Sequence, residues 1–368
     1  MPTIERIPKT SGDSAYRIQA DLVEDGSRTR VWFESNGFPL DDSVDPFVSL
    51  ALIPSMARHR DILASEPVST ALREHKGPLA EALRWRVPGI RPVTIDAPVR
   101  TGFPSTATGV GLFVDGDIDS LGSLVAAGDR ITHVIHVHGL RTRLGDFEER
   151  RASSDWLERL SAEFGVVPIE VSTNLRDWCD PRVRWEQTHP FGPLAAVAAT
   201  LSPVLREVWI PGASRIGTYH SGSAHPARLL GTDAVELLPD DAGTDRAGRY
   251  ELVAERPGAS HWLRPCRRSR HASPACGECA QCVEASIALH VFGAFDAGPW
   301  VRPRPHCSRI SRMTWETETA RRTAHRLLNA CERRGIDPDL ATALRRSLGL
   351  EPAAHARPWW HWNRLVSR

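Results

Sequence analysis

Two groups of residues in this chain have the types and spacing to do chemistry. The first is Gly111-Leu-Phe-Val-Asp115-Gly-Asp-Ile-Asp-Ser120. Its apolar run, Leu112 to Val114, reads as a buried parallel strand, and residues 121–127 read as a helix. The loop between them is small and acidic, with Ser120 or Asp119 placed to cap the helix. A strand–loop–helix of this kind aims backbone N–H groups and the positive end of a helix dipole at whatever lies above the loop, and phosphate is the usual occupant. Asp115, Gly116, Asp117, Asp119 and Ser120 make up that loop. The carboxylates at 115 and 117 work against a polyanion. Like charges about 4 Å apart cost about 1 kcal/mol in water and about 4 kcal/mol at an effective dielectric of about 20. Mg²⁺ bridging carboxylate and phosphate would offset this.

The second group is Cys266-x9-Cys276-x2-Cys279-x2-Cys282, four thiolates that suffice for a closed tetrahedral zinc site. Gly277 permits the tight turn of a metal knuckle. An iron–sulfur cluster uses the same Cys-x2-Cys-x2-Cys run, and His271 is a substitute ligand, so both metals stay open. Structural zinc is the expectation, since four protein ligands leave no coordination position for chemistry.

Other residues carry weaker signals. His136 and His138 share one face of an expected strand and His133 the other, so the three do not converge on one metal. They read as core or strand-end histidines, with His138 the one placed to reach a ligand. Ser223 and His225, in Gly222-Ser-Ala-His-Pro226, either touch substrate or brace a turn, and His220 and His189 have less claim. Cys179, Cys307 and Cys331 lack a local electropositive motif and read as ordinary thiols.

These groups need elements to hold them. Residues 1–100 read as a small α/β domain, with strands at 16–23, 30–33 and 91–95 and helices at 45–57 and 69–85. A Pro/Thr/Gly-rich linker covers 97–108. From 109 the pattern alternates: strands at 111–114, 131–137, 166–171, 206–210 and 234–238, helices at 120–127, 153–164 and 193–201. That alternation predicts an α/β fold with a doubly wound parallel sheet. Ligands in such sheets lie beyond the carboxyl ends of the strands. Here those ends bring Asp115–Ser120 together with His138, Gly139, Asn174 and Ser214. After the cysteine segment (266–282) come a helix at 283–291, a Pro/Arg linker at 299–305, helices at 315–334 and 338–348, and the tail Arg357-Pro-Trp-Trp-His-Trp362. The expected division is an N-terminal domain (1–100), a sheet domain with the cysteine site (105–298) and a basic helical extension (305–368).

The loop resembles the pyrophosphate loop, or PP-loop, of ATP pyrophosphatases, Ser-Gly-Gly-x-Asp-Ser. Gly116, Asp119 and Ser120 occupy family positions, while Asp115 replaces the leading Ser and Asp117 the second Gly. With four cysteines downstream, the chain resembles 7-cyano-7-deazaguanine synthase and uncharacterised PP-loop proteins. Further matching strings are Val137-His-Gly139, Thr173-Asn-Leu-Arg176, Ile210-Pro-Gly-Ala-Ser214 and Gly222-Ser-Ala-His-Pro226. The resemblance covers about 105–295. It implies a Rossmann-like PP-loop domain that cleaves ATP to AMP and pyrophosphate and adenylates a carboxylate or amide oxygen. Ammonia, an amine or sulfur then displaces AMP. In that scheme Ser120 and the loop amides hold pyrophosphate and Asp119 positions Mg²⁺ or water. His138, Gly139 and Ser214 line the cofactor, with Asn174, Ser223 and His225 toward the substrate. The first expectation is thus an ATP-dependent adenylating ligase acting on a small-molecule or peptide carboxylate. The alternative is a catalytically degenerate member serving as a binding or scaffold subunit.

Composition sets the remaining bounds. The chain has 368 residues, 41% of them hydrophobic, and a net charge of +1, which argues against a protein dominated by nucleic-acid binding. Residues 301–368 hold 14 Arg and 6 Asp/Glu, a net 14 − 6 = +8, which suits docking on a sister or partner subunit better than specific nucleic-acid binding. Arg267-Arg-Ser-Arg270 lies within the cysteine segment. No secretory leader opens the chain and no apolar run approaches a membrane span of about 18 residues, so a cytoplasmic protein is expected.

Overall fold

The computed structural model describes residues 1–7, 16–100, 105–183, 191–212, 225–240, 243–266, 275–294 and 306–350. They fall into two compact units, one within Met1–Gly243 and the other from Thr244 onward. No helix among the described residues is long and apolar enough to cross a membrane.

The first unit is an α/β fold around a large, mostly parallel sheet. Its strands are β1 (Thr3–Arg6), β2 (Arg17–Glu24), β3 (Ser27–Ser35), β4 (Ile62–Ala64), β5 (Val68–Ser69), β6 (Ile95–Asp96), β7 (Val99–Arg100), β8 (Gly109–Phe113), β9 (His133–His138), β10 (Val167–Thr173), β11 (Leu205–Ile210) and β12 (Glu236–Pro239). Ten of them form one sheet in the order β12-β11-β8-β9-β10-β3-β2-β1-β4-β6, and β5 pairs with β7. The first five neighbours are all parallel. Along the chain, the first of them, β8, lies in the middle, with the second and third to one side and the fourth and fifth to the other. This is the strand order of a doubly wound, Rossmann-like sheet, and its switch point lies between β8 and β11.

Helices lie on both faces of the sheet. They are α1 (Asp45–Arg58), α2 (Thr70–Glu74), α3 (Lys76–Leu83), α4 (Ile118–Ala127), α5 (Phe147–Phe164), α6 (Leu175–Cys179) and α7 (Phe191–Thr200). On one face, α5 sets Trp156 against His136 and Ser154 against Glu170. On the other, Ile135, Val137, Ile169 and Val171 join Phe47 and Leu50 of α1 and Val197 of α7 in the main core. Helix α1 is buried over nearly all its length, which accounts for its near-continuous apolar sequence.

Several expectations change. The sheet is mixed: β10 pairs antiparallel with β3 (Val171↔Ser35, Ser172↔Glu34, Thr173↔Phe33), so residues 1–100 share one sheet with the expected 105–298 domain and are not separate from it. The physical reason is the edge: β10 would otherwise end the parallel half with a bare row of N–H and C=O groups. The expected helix 69–85 is two pieces, α2 and α3, because Pro78 has no N–H to donate back to Glu74. The strand expected at 91–95 shrinks to β6. Helix α4 starts at Ile118 with Asp117 as its N-cap, not Asp119 or Ser120.

The second unit is helical: α8 (Arg246–Glu255), α9 (Ala280–Phe292), α10 (Cys307–Ile310), α11 (Glu318–Arg334) and α12 (Pro338–Ser347). Glu284 of α9 accepts from Arg246 Nε at 2.5 Å and Tyr250 Oη at 3.1 Å, pinning α9 to α8. Helix α9 also packs on α11, and α11 on α12. The unit therefore starts at Thr244, earlier than the expected boundary near 305, since α8 and α9 bury their apolar faces with the C-terminal helices.

Candidate functional site

The loop after β8 lies at the switch point and is built from its own side chains. Phe113 ends the strand, Gly116 takes a positive φ of 83°, and Asp117 turns the chain into α4. Asp117 Oδ1 accepts from Ser120 N at 2.8 Å, and Asp115 Oδ1 accepts from Asp117 N at 3.1 Å. Ser120, 1% exposed, donates its hydroxyl to Asp117 O at 3.1 Å. In a phosphate-cradling loop, amides at these positions point at the ligand. Here two of them already hold carboxylates.

The turn after β9 adds a cation. Arg141 Nη1 lies 3.1 Å from both Asp115 O and Asp115 Oδ2. Burial opposes the Arg141 charge, but Asp115, Asp117 and Glu149 outweigh it and raise the guanidinium pKa. The paired side chains are 30% and 41% exposed, so the interaction is worth about 0.2–1 kcal/mol. The turn itself is tight. Gly139 N donates to Thr142 O at 2.8 Å, and Arg176 Nη1 donates to Leu140 O at 2.8 Å. Gly139 has φ 99°, and a Cβ there would lie 1.8 Å from Thr173 O, so backbone packing alone demands this glycine.

Beneath the loop, His136 Nδ1 donates to Val114 O at 2.9 Å. His138 is 2% exposed, with Nε2 2.6 Å from Glu170 Oε2, and the two imidazoles meet edge-on at 4.9 Å. Burial pushes the Glu170 pKa up, but hydrogen bonds from His138 and Ser154 outweigh it and bring it below the ordinary glutamate value. His133 faces the other way, against Phe38 and Thr132. The histidine arrangement on β9 is the one its alternation predicts.

Asn174 has its amide engaged by β3: Oδ1 accepts from Trp32 N at 3.0 Å and Nδ2 donates to Arg30 O at 2.9 Å. His225 Nδ1 accepts from Ala227 N at 3.1 Å, and its ring meets Phe191 at 5.6 Å. Ser214, Ser223, His189, His220, His271, Arg267 to Arg270 and the Arg/Trp tail lie outside the described residues. Two residues at the site were not singled out from sequence. Arg141 follows a strand end by three positions. Asp240, 1% exposed just after β12, accepts from Ser123, whose hydroxyl oxygen also lies 2.6 Å from Asp119 O. A carboxylate at a strand's carboxyl end was the available signal for Asp240.

The four cysteines of the second unit do meet. Their sulfur atoms all lie within 4.8 Å of one another, and Cys276 and Cys282 are 3.9 Å apart. A tetrahedral ion with Zn–S bonds of about 2.3 Å needs sulfurs about 3.8 Å apart, so the set fits one such ion. Cys266, Cys279 and Cys282 are buried and Cys276 is exposed. Cys279 is the N-cap of α9, Gly277 turns the chain at φ 70°, and Cys276 Sγ accepts from Glu278 N at 3.3 Å and Cys279 N at 3.2 Å. Burial pushes the Cys276 thiol up, but these amides outweigh it and lower its pKa to about 7. Arg309 Nη2 of α10 donates to Glu278 O at 2.5 Å, bracing the knuckle from outside.

Of the other thiols, Cys179 and Cys331 are buried. Burial pushes Cys179 up to about 12 and Cys331 up to about 11.

No family model, curated protein or solved structure matches the chain. Residue geometry is what speaks for function.

Proposed function

We propose that this protein is a PP-loop-type chain whose pyrophosphate loop has lost its adenylating role, and that it works as a binding subunit at the switch point of its sheet. One observation carries the reading: the Asp115 and Asp117 carboxylates accept from the amides of Asp117 and Ser120, donors that a polyphosphate would otherwise use. A bound triphosphate would displace two internal anions and stand beside them, at about 1–4 kcal/mol for each. Strand order supports the location, because the loop follows β8 directly at the switch point.

The four cysteines are proposed to hold structural zinc. The sulfur spacing suits a single ion, and the donor set leaves no position for a reacting group. Residues Cys266, Cys276, Cys279 and Cys282 would then tie the start of α9 to the segment before it.

An adenylating ligase is the second reading, favoured by Asp119 and Ser120 standing in the first turn of α4. Calorimetry with ATP·Mg²⁺ separates the two, beside a pyrophosphate-release assay with carboxylic acids. The binding-subunit reading expects weak or absent heat from the natural chain and tighter binding once Asp115 is Ser and Asp117 is Gly. Tight ATP binding with pyrophosphate release by the natural chain would replace it with the ligase reading.

A further inference from the structure

We infer that Arg141 is the anion-binding side chain of the switch-point loop and that Asp115 keeps it occupied. The inference rests on reading that loop as a nucleotide-type site. Asp115 is one of the two residues that depart from the PP-loop pattern, and it is the one to which Arg141 is bound, through both carbonyl and carboxylate. A guanidinium that accommodates a carboxylate accommodates a phosphate with the same planar donors. The Asp115 carboxylate thus stands in for the ligand's anion.

Position and rigidity favour this role over a chance surface pair. The turn bearing Arg141 is fixed on three counts: the Gly139–Thr142 bond, the Arg176 bond to Leu140 O, and the Gly139 approach to Thr173. Its backbone therefore stays beside the loop, and only the side chain needs to turn. Both paired side chains are partly exposed, so water and a competing anion have access to them. Asp117 and Glu149 also face Arg141, which makes its charge a counterweight to local carboxylates. The ligand class is inorganic pyrophosphate or the polyphosphate tail of a nucleoside triphosphate.

The test is calorimetry on the full chain, titrating inorganic pyrophosphate and ATP·Mg²⁺ separately. Natural protein is compared with Asp115→Ser, Asp115→Asn, Arg141→Gln, Asp115→Ser/Arg141→Gln and Asp117→Gly. Circular dichroism confirms that each is folded, and Asp115→Asn retains an acceptor for the Asp117 amide should Asp115→Ser fold poorly. Removing the Asp115 charge is expected to tighten pyrophosphate binding about tenfold or more, and adding Arg141→Gln is expected to cancel the gain. Binding of both titrants identifies a nucleotide tail, and binding of pyrophosphate alone a free polyanion. An equal gain with and without Arg141 overturns the inference. So does a gain from Asp117→Gly with none from either Asp115 variant, a result that leaves the loop reading standing. Failure of every variant to bind either anion removes both.

Discussion

Asp117 Oδ1 accepts the amide of Ser120 at 2.8 Å, which makes Asp117 the N-cap of α4. In the proposed reading, the carboxylate that stabilises the helix start would also repel a polyphosphate. On that reading, binding and stability are set against each other at one side chain.

Substitutions at 117 separate those two roles. Asp117→Ala removes cap and charge together and is expected to cost about 1 kcal/mol in urea unfolding, whereas Asp117→Gly, a tolerated N-cap, costs only a few tenths. Both are expected to bind pyrophosphate more tightly than the natural chain. A Gly variant as unstable as the Ala variant would show that the cap is not what Asp117 supplies.

Metal content is the check on the cysteine centre. Purified protein is expected to carry one zinc per chain by elemental analysis and to show no visible absorption from iron–sulfur charge transfer. Chelation, or Cys279→Ser, is expected to lower the melting temperature of the helical unit and reduce helical circular dichroism, because Cys279 at the N-cap position and Cys282 in the first turn of α9 would be held by the ion. Iron with inorganic sulfide in equal amounts would overturn the zinc assignment.

Asp45 gives the first unit a pH signature. It is 2% exposed, accepts from Ser69 N at 2.9 Å and faces Arg100 Nη1 at 3.3 Å. Burial raises its pKa from 3.8 to about 6, with Arg100 and the Ser69 amide pulling the other way. A folded-state pKa above the unfolded value means the stabilising contribution is complete below 3.8 and is lost as pH rises through about 6. Relative to Asp45→Asn, the natural chain is expected to lose up to about 3 kcal/mol between those limits, measured by urea unfolding at several pH values. A difference that does not change with pH would refute the assignment.

Glu170 has the opposite sign. Its pKa lies below the ordinary 4.5, so its contribution is present above that value and is lost as pH falls through the folded pKa. Glu170→Gln weakens a charge-assisted bond to His138 and is expected to destabilise by about 1.5–3 kcal/mol at neutral pH. The variant should also shift the His138 imidazole resonances in NMR, which a merely looser α5 would leave in place.

Much of this was readable from residues alone. The five core strands announce themselves as short apolar runs separated by helical stretches, and the His136/His138 pairing follows from the period of a strand. The cysteine spacing shows which sulfurs meet. The exact start of α4 was not readable, because Asp117, Asp119 and Ser120 are all competent caps and only the φ/ψ of the turn chooses among them. Arg141 was hidden because its partner is reached through a turn whose geometry depends on Thr173, a residue on another strand. The two-residue strands β5 and β7 carry too little pattern to register, and β6 was read as longer than it is. The seam between β3 and β10 was invisible for a different reason: pairing partners distant in sequence leave no local trace.

That seam also dictates an order of events during synthesis. The β2–β3 hairpin is made well before its second neighbour, so the flank of β3 that receives Val171, Ser172 and Thr173 must wait until β10 has been synthesised. Until then the nascent chain carries an open hydrogen-bonding rail, a natural target for chaperones, and a break anywhere before residue 167 would leave it permanently uncovered.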